Sequence, residues 1–241
     1  MHSGLIEFVH EISGKLGFPA MGNPTMIRTG DVFVIDIGDD LNMTSVAWVS
    51  AMNELLDEID AADGPKGLVT TSSAPKHYSN GLDTPYMAEC TAVEVGAYVE
   101  TCFSLVHRIM LLSAPTGAAV TGHAFGLGAF LVLAHDQALM REDRGYWNLP
   151  EVHLSMNFPR PLMSVVDARL SNAEKQRAVV VGHRYAGLEA ADAGIVDGAC
   201  ALETLTGSVV ERVAAVASTA GDNLALIKTQ LYPEIAEIAG R

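Results

Sequence analysis

Two short segments of the chain hold backbone N–H groups whose surroundings suit the binding of a negatively charged oxygen. In residues 76–83 (KHYSNGLD), the Asn-Gly pair predicts a sharp turn because both residue types tolerate positive φ, which leaves the N–H of Leu82 free. In residues 122–129 (GHAFGLGA), small residues open an apolar helix whose first N–H groups, that of Leu127 among them, have no partner within the helix. Two such donors aimed at one oxygen form an oxyanion hole, in which each contributes about 3–4 kcal/mol to catalysis.

Each of these motifs alone has a simpler explanation. An Asn-Gly pair is typical of a hairpin or loop, and a GxxxGxG stretch that opens an apolar helix is typical of close packing. The second stretch also lacks the GxGxxG pattern of a dinucleotide site, which argues against a site of that kind. The combination favours an oxyanion hole, because both motifs occur together and each follows a predicted strand.

Glu151 is a carboxylate in apolar surroundings. Its neighbours Leu149, Val152 and Leu154 favour partial burial. Burial raises the pKa of a carboxyl group toward neutrality, where a general base works best. The alternative is a helix-capping or surface carboxylate, and the residues alone leave both open.

Other polar groups favour structural roles. No spacing around His123, His135 and Asp136 matches a metal-binding motif, so we expect these histidines to be structural and predict no metal site. Ser79 and His77 lack a GxSxG elbow, which argues against a serine hydrolase.

Strands and helices alternate from about residue 31 to residue 141. Short apolar segments predict strands at 31–38, 67–72, 116–121 and 137–141. Longer patterns predict helices at 44–60, 85–112 and 127–134. This alternation implies an α/β architecture with parallel strand pairing.

From about Pro159 onward the pattern becomes mostly helical. The helices predicted there are 171–181, 188–193, 204–219 and 223–239. In the last of them, apolar residues recur at helical spacing: Leu224, Ile227, Leu231, Ile235 and Ile238. This stripe either packs on the core or serves oligomerisation, and the sequence leaves both open.

Composition limits the partners and the compartment. The 241 residues carry 15 Lys and Arg against 29 Asp and Glu, a net charge of −14, and the basic residues do not cluster, so we predict no nucleic-acid partner. Three widely spaced cysteines without a CxxC pair predict a reducing compartment. The N-terminus lacks the apolar core of a signal peptide, and no apolar run reaches the ~18 residues that span a bilayer. We therefore predict a soluble cytoplasmic protein without a membrane partner.

Four phrases of the sequence together resemble the crotonase (enoyl-CoA hydratase/isomerase) superfamily. In the family order they are KHYSNGLD, AAVTGHAFGLGAFLVLAHDQALM, LPEVHLSMNFP and GHRYAGLEAADAGIVD. The resemblance implies an α/β spiral of ββα units followed by a helical region used in assembly. We accordingly expect a crotonase-like core with an acyl-CoA site over residues 1–195, a helical oligomerisation region over residues 196–241, and a homo-oligomer that is a trimer or a dimer of trimers.

The resemblance also implies roles for residues of both loops. By position, the N–H groups of Leu82 and Leu127 are the expected oxyanion donors. The residues expected along the CoA path are Asn80, Gly81, Leu82 and Asp83. Lys76 is a candidate contact of a CoA phosphate, the alternative being a solvated loop lysine. Trp147 is expected to shape the acyl pocket, with core packing as the alternative.

Two acidic positions distinguish the reactions of this family. By this resemblance, hydratases of the family have one glutamate at the position that Phe130 occupies here and another at the position of Glu151. Phe130 replaces the first glutamate with an apolar side chain and is expected to line the substrate site. A single acid suits the Δ3,Δ2-enoyl-CoA isomerase reaction, and the segments NGLD, LMREDRG and LPEV resemble the plant and peroxisomal-type isomerases.

The expected partner is therefore an acyl-CoA thioester, with CoA as part of the substrate and no separate cofactor. The alternatives are hydration, thioester hydrolysis, or binding of acyl-CoA without catalysis.

Overall fold

A six-stranded sheet is the frame of the molecule in the computed structural model, which describes residues 22–241. Ten strands lie within these residues: β1 (Thr25–Thr29), β2 (Val32–Asp36), β3 (Gly67–Thr71), β4 (His77–Ser79), β5 (Thr116–Val120), β6 (His123–Phe125), β7 (Gln137–Arg141), β8 (Trp147–Asn148), β9 (Arg184–Tyr185) and β10 (Gly198–Cys200). The large sheet has the order β1-β2-β3-β5-β7-β10, with β1 antiparallel to β2 and all other pairs parallel. The predicted parallel pairing is thus confirmed, although the edge strand β1 was not predicted.

A second, smaller sheet has the order β4-β6-β8-β9. Successive chain segments give one strand to the large sheet and the next to the small sheet, as β3 then β4, β5 then β6, and β7 then β8. A helix or helical turn follows each pair. The repeat confirms the predicted arrangement of ββα units.

Ten α-helices complete this part of the chain. They are α1 (Val46–Ala61), α2 (Thr84–Glu89), α3 (Ala92–Met110), α4 (Leu127–Leu133), α5 (Arg160–Arg169), α6 (Asn172–Lys175), α7 (Gly187–Asp192), α8 (Leu202–Ala214), α9 (Asp222–Leu231) and α10 (Pro233–Ile238). Three further turns are a 3₁₀ helix at Glu151–Leu154, a π-helix at Gln176–Val180 and a 3₁₀ helix at Ala217–Thr219.

The prediction of one long helix over residues 85–112 is wrong, because the chain is interrupted between α2 and α3. Cys90 is extended, and the hydroxyl of Thr91 caps α3 while the carboxylate of Glu94 accepts the N–H of Thr91 (2.8 Å). This capping box satisfies N–H groups that a helix start leaves free, so it stabilises a new start over continuation.

The predicted C-terminal helix is also divided, since Pro233 begins α10 and cannot supply the N–H that continues α9. The predicted apolar stripe packs on the core only in part. Ile235 is buried, whereas Ile227 and Leu231 are 48% and 62% exposed. The inward side of α9 instead holds Lys228, whose Nζ donates to Asp136 Oδ2 (2.7 Å) and to the carbonyl of Ala114 (3.0 Å).

The core lies on both faces of the large sheet. On one face α8 packs Val209 and Val213 directly over the glycines of β3 and β5. The opposite face packs against α1, α3 and α4 through the larger apolar cluster. β10 extends the sheet beyond residue 195, and the division of the chain into two regions at that residue stays a prediction. Within residues 22–241, no helix combines the length and apolar character that crossing a bilayer requires.

Candidate active site

The first donor loop, residues 80–83, is held on both sides of Leu82. The N–H of Asn80 donates to the carbonyl of Leu41 (2.9 Å), and the N–H of Gly81 donates to Ser79 Oγ (3.2 Å). The N–H of Asp83 donates to the hydroxyl of Tyr98 (2.8 Å). Within the part of the chain described, the N–H of Leu82 has no acceptor, so it is the one amide of this loop left for a ligand.

The second donor loop, residues 126–128, leads from β6 into α4. Gly126 has φ of +52°, and its carbonyl accepts the N–H groups of Ala129 (2.9 Å) and Phe130 (3.2 Å). The N–H of Gly126 itself donates to the carbonyl of Asn148 (3.1 Å). Leu127 is the first residue of α4, so its N–H has no partner within the helix.

The two donor loops are in direct contact. A Cβ atom on Gly81 would lie 2.6 Å from the carbonyl oxygen of Phe125 and 3.0 Å from the nitrogen of Leu127. A Cβ atom on Gly128 would lie 2.3 Å from the carbonyl oxygen of Ser79. Only glycine at these positions allows such an approach, and it brings the amides of Leu82 and Leu127 into one neighbourhood.

Glu151 lies beside the second donor loop, on the 3₁₀ turn that follows β8. It is 8% exposed, and a Cβ atom on Gly126 would lie 3.3 Å from Glu151 Oε1. Glu151 Oε2 is buried and has no hydrogen-bond partner among the described residues. Burial raises the pKa of the carboxyl group to about 7, because it disfavours the charged form. The predicted burial of Glu151 is confirmed, although of its three apolar neighbours only Leu149 is buried, whereas Val152 and Leu154 are 44% and 59% exposed.

Buried aromatic side chains lie on α4 and β8, the elements adjacent to Glu151. Phe130 is fully buried in α4, and its ring centroid lies 6.0 Å from that of Phe158. Trp147 is also fully buried, and its indole N–H donates to the carbonyl of Ala129 (3.1 Å). These contacts give Trp147 a packing role, and its contact with a substrate stays a prediction.

The other residues predicted to bind CoA lie around the first donor loop. Lys76 is exposed before β4, and its carbonyl accepts the N–H of His123 (2.9 Å). Asn80 and Asp83 are half-buried, and the carboxylate of Asp83 caps α2 by accepting the N–H of Tyr86 (3.1 Å). Their contacts with CoA stay predictions.

The histidine next to Asp136 has the structural role that was expected. His135 Nδ1 is bonded to the carbonyl of Leu131 (2.7 Å) and Nε2 to Thr70 Oγ1 (3.0 Å). Burial lowers its pKa to about 4, which keeps the ring neutral. Among residues 22–241, no group of three or more His, Cys, Asp or Glu side chains is arranged to hold a metal ion.

Two supporting residues were not found from the sequence. Asn42 is buried and donates to the carbonyl of Tyr78 (2.9 Å), while its own carbonyl accepts the hydroxyl of Ser79 (2.7 Å). Gly182 packs against the turn that contains Glu151, as a Cβ atom there would lie 2.5 Å from His153 Nε2. Asn42 lies in a loop and Gly182 far along the chain, so no local pattern indicates either contact.

A family profile and known proteins match most of this sequence. The profile described as enoyl-CoA hydratase/isomerase matches residues 29–237. The chain is 30% identical over 229 residues to enoyl-CoA delta isomerase 2, peroxisomal, of Arabidopsis thaliana, covering 90% of this chain and 95% of that protein. Since the name of that relative gives the peroxisome, the cytoplasmic location stays a prediction.

Two solved structures have the same fold. A probable enoyl-CoA hydratase of Mycobacterium tuberculosis superposes with a TM-score of 0.83 at 22% identity, over 90% of this chain and 91% of that chain. Human mitochondrial delta3-delta2-enoyl-CoA isomerase gives a TM-score of 0.79 at 18% identity, with the same coverage of 90% and 91%. At these identities the likeness establishes the fold alone.

Proposed function

The chain belongs to the enoyl-CoA hydratase/isomerase family, and we propose that it is an isomerase that converts a 3-enoyl-CoA to a 2-enoyl-CoA. The observation that carries this proposal is that Glu151 is the single buried acid among residues 22–241. Glu151 Oε2 has no hydrogen-bond partner among those residues and Oε1 lies beside Gly126, while by the family resemblance Phe130 stands where a hydratase has its other glutamate. The name of the Arabidopsis relative supports the same reaction.

The proposed reaction is a proton transfer through a thioester dienolate. The carboxylate of Glu151 takes a proton from C2, and the electron pair left behind is delocalised onto the thioester oxygen and C4. The N–H groups of Leu82 and Leu127 donate to that oxygen as its charge develops, which lowers the barrier. Glu151 then returns the proton to C4, so the double bond moves to C2–C3 and the enzyme regains its starting state.

The pKa of Glu151 suits both halves of this cycle. A carboxyl group with a pKa of about 7 is a stronger base than an exposed carboxylate and remains an effective acid near neutral pH. The burial of Glu151 favours transfer between carbon atoms over attack by water.

CoA is proposed to lie along the first donor loop, with Asn80, Gly81 and Asp83 beside it and Lys76 near a phosphate. We also propose a homo-oligomer, a trimer or a dimer of trimers. Exposed apolar residues of α9 support self-association: Leu226, Ile227 and Leu231. Sedimentation velocity measures the assembly directly, and a monomer at micromolar concentration would contradict this part of the proposal.

The reaction is tested with two substrates. Purified protein is given trans-3-enoyl-CoA, and we expect the ultraviolet absorbance of a conjugated enoyl thioester to appear. With trans-2-enoyl-CoA, loss of that absorbance together with a hydroxyacyl product identifies hydration instead. Release of free CoA identifies thioester hydrolysis, and tight binding without turnover of either substrate identifies a catalytically silent acyl-CoA-binding protein.

A further inference from the structure

Asn148 lies at the centre of the small sheet, between the second donor loop and the acid. Its strand β8 has only two residues, and Asn148 pairs with Phe125 of β6 on one side and with Arg184 of β9 on the other. The residue is 2% exposed. A strand this short forms few ladder hydrogen bonds, so its position depends on the contacts of its side chains.

The amide of Asn148 connects β8 to the segment before β9. Nδ2 donates to the carbonyl of Gly182 (2.9 Å) and to that of His183 (2.9 Å). On the other side, the main-chain carbonyl of Asn148 accepts the N–H of Gly126 (3.1 Å). Asn148 is therefore hydrogen-bonded both to residues 182–183 and to Gly126, the residue that precedes Leu127.

Gly182 also contacts the turn that begins with Glu151. It has φ of +65°, and a Cβ atom there would lie 2.5 Å from His153 Nε2 and 2.9 Å from Val152 Cγ1. Its backbone therefore packs against the turn that begins with Glu151. Because Glu151 Oε1 lies against Gly126, the contacts close into a ring that contains Gly126, Asn148, Gly182 and residues 151–153.

We infer that Asn148 is a positioning residue whose buried amide fixes the Glu151 carboxylate relative to the Leu127 donor and helps to keep water from that carboxylate. The residue type is specific. Alanine removes the donor to the buried carbonyl of Gly182 and to the partly buried carbonyl of His183, and aspartate would place a carboxylate against both oxygens. The chemical consequence of this role rests on the proposed function, whereas the ring of contacts does not.

The ring acts on Glu151 through burial, since no charged side chain of the described residues contributes to its raised pKa. The charged and titratable groups on the surrounding elements are His153, His183, Arg184 and Tyr185, together with Arg177 and Glu189, which are both bonded to His183. His153 lies on the same turn, and His183 follows Gly182 and is bonded through Nε2 to Glu189 Oε1 (2.8 Å). Opening the ring admits water to Glu151 and so lowers its pKa toward that of an exposed carboxyl.

The variant that tests this role is Asn148→Ala. For 3-enoyl-CoA we expect kcat to fall about 10- to 100-fold and KM to change less than about threefold. In the plot of rate against pH, we expect the acid limb, where the rate falls because Glu151 is protonated, to move to lower pH than in the wild type. Asn148→Ser keeps one donor and should recover part of the loss, and it replaces Asn148→Ala if that variant does not fold. The matched control is Val213→Ala, which removes buried atoms beneath the large sheet.

The position of the acid limb decides the outcome. If kcat in Asn148→Ala falls only as far as the folded fraction does, with the acid limb unmoved as in Val213→Ala, then Asn148 is an ordinary structural residue. An acid limb that shifts to lower pH in Asn148→Ala but not in Val213→Ala supports the positioning role.

A measurement without turnover separates this role from the proposed function. Protein labelled with ¹³C at the glutamate carboxyl is titrated by NMR, and the resonance of Glu151 is identified by its absence in Glu151→Gln. A wild-type protein that does not isomerise 3-enoyl-CoA refutes the proposed function, yet a lowered Glu151 pKa in Asn148→Ala still supports the ring. An unchanged Glu151 pKa overturns the role of Asn148 even if the protein is an isomerase.

Discussion

The two sheets of this protein differ in how completely their buried polar side chains are hydrogen-bonded. At the large sheet, His135 is bonded through both ring nitrogens, and Lys228 shares its ammonium group between Asp136 and a carbonyl. In residues 22–241, both buried side-chain atoms that lack a partner lie at the small sheet: His77 Nδ1 in β4 and Glu151 Oε2 after β8.

The strands differ in the same way. Neighbouring strands of the large sheet pair over three to five residues, whereas β8 and β9 of the small sheet have two residues each. An unpartnered buried carboxylate opposes folding, so some other part of the molecule must offset it. The large sheet and its helices therefore stabilise the fold, while the small sheet holds the Glu151 carboxyl group in an environment that disfavours its charged form.

Apart from the loss of Glu151 itself, the largest effect on activity is expected where the two donor loops touch. In Gly81→Ala, the new Cβ meets the carbonyl of Phe125 at 2.6 Å and separates the loops, so kcat should fall about 10²- to 10³-fold, as on loss of one oxyanion donor. The matched control is Gly30→Ala. That glycine also has positive φ (+59°) but has open space around it, so the substitution strains the backbone without touching the site. Equal losses of kcat in both variants would show that strain alone, and not loop separation, matters.

The next effect is on stability and depends on pH. Glu151 has a folded pKa of about 7, above its unfolded value of 4.5, so its contribution to stability is fully present below pH 4.5 and is lost as the pH rises to 7. Glu151→Gln avoids this loss, so its free energy of unfolding should exceed that of the wild type by roughly 3 kcal/mol at pH 8 and match it near pH 4. Urea unfolding at both pH values measures the difference. Glu100→Gln, an exposed control in α3, should show no such gain, and a Glu151→Gln variant no more stable than wild type at pH 8 would contradict the burial argument.

The smallest effect is expected from the large sheet, and it concerns stability without activity. Val213 fills the space over Gly67 and Gly117, so Val213→Ala removes two buried methyl groups and should lower the free energy of unfolding by roughly 2 kcal/mol. Its kcat should equal that of the wild type where both are folded. A fall in kcat without a fall in stability would mean that the two sheets do not divide their roles as described.

The large sheet is the part that the sequence predicts well. β2, β3, β5 and β7 are buried apolar runs between turns and helices, and such runs are visible without tertiary information. The strands of the small sheet were not predicted, because strands of two or three residues are too short to show an alternation of apolar and polar residues. Its position is set by pairing between residues that are distant in the sequence.

Some features of the candidate site were likewise predictable from the sequence, and others were not. The Leu82 and Leu127 loops follow from local features, namely turn residues and a helix start. The burial of Glu151 depends on its contact with the second donor loop, because its neighbours Val152 and Leu154 are exposed. The contact of Gly81 with the second loop and the contact of Gly182 with the Glu151 turn depend on the distance between separate segments. Only the fold supplies that information.

The central claim is that Glu151 alone transfers the proton, and Glu151→Gln tests it most directly. The amide keeps the size of the side chain but cannot accept a proton from C2. With trans-3-enoyl-CoA, we expect kcat to fall by about 10³-fold or more, while the Kd for a non-reactive acyl-CoA measured by calorimetry stays within about threefold of the wild-type value. Near-normal kcat in Glu151→Gln would contradict the claim.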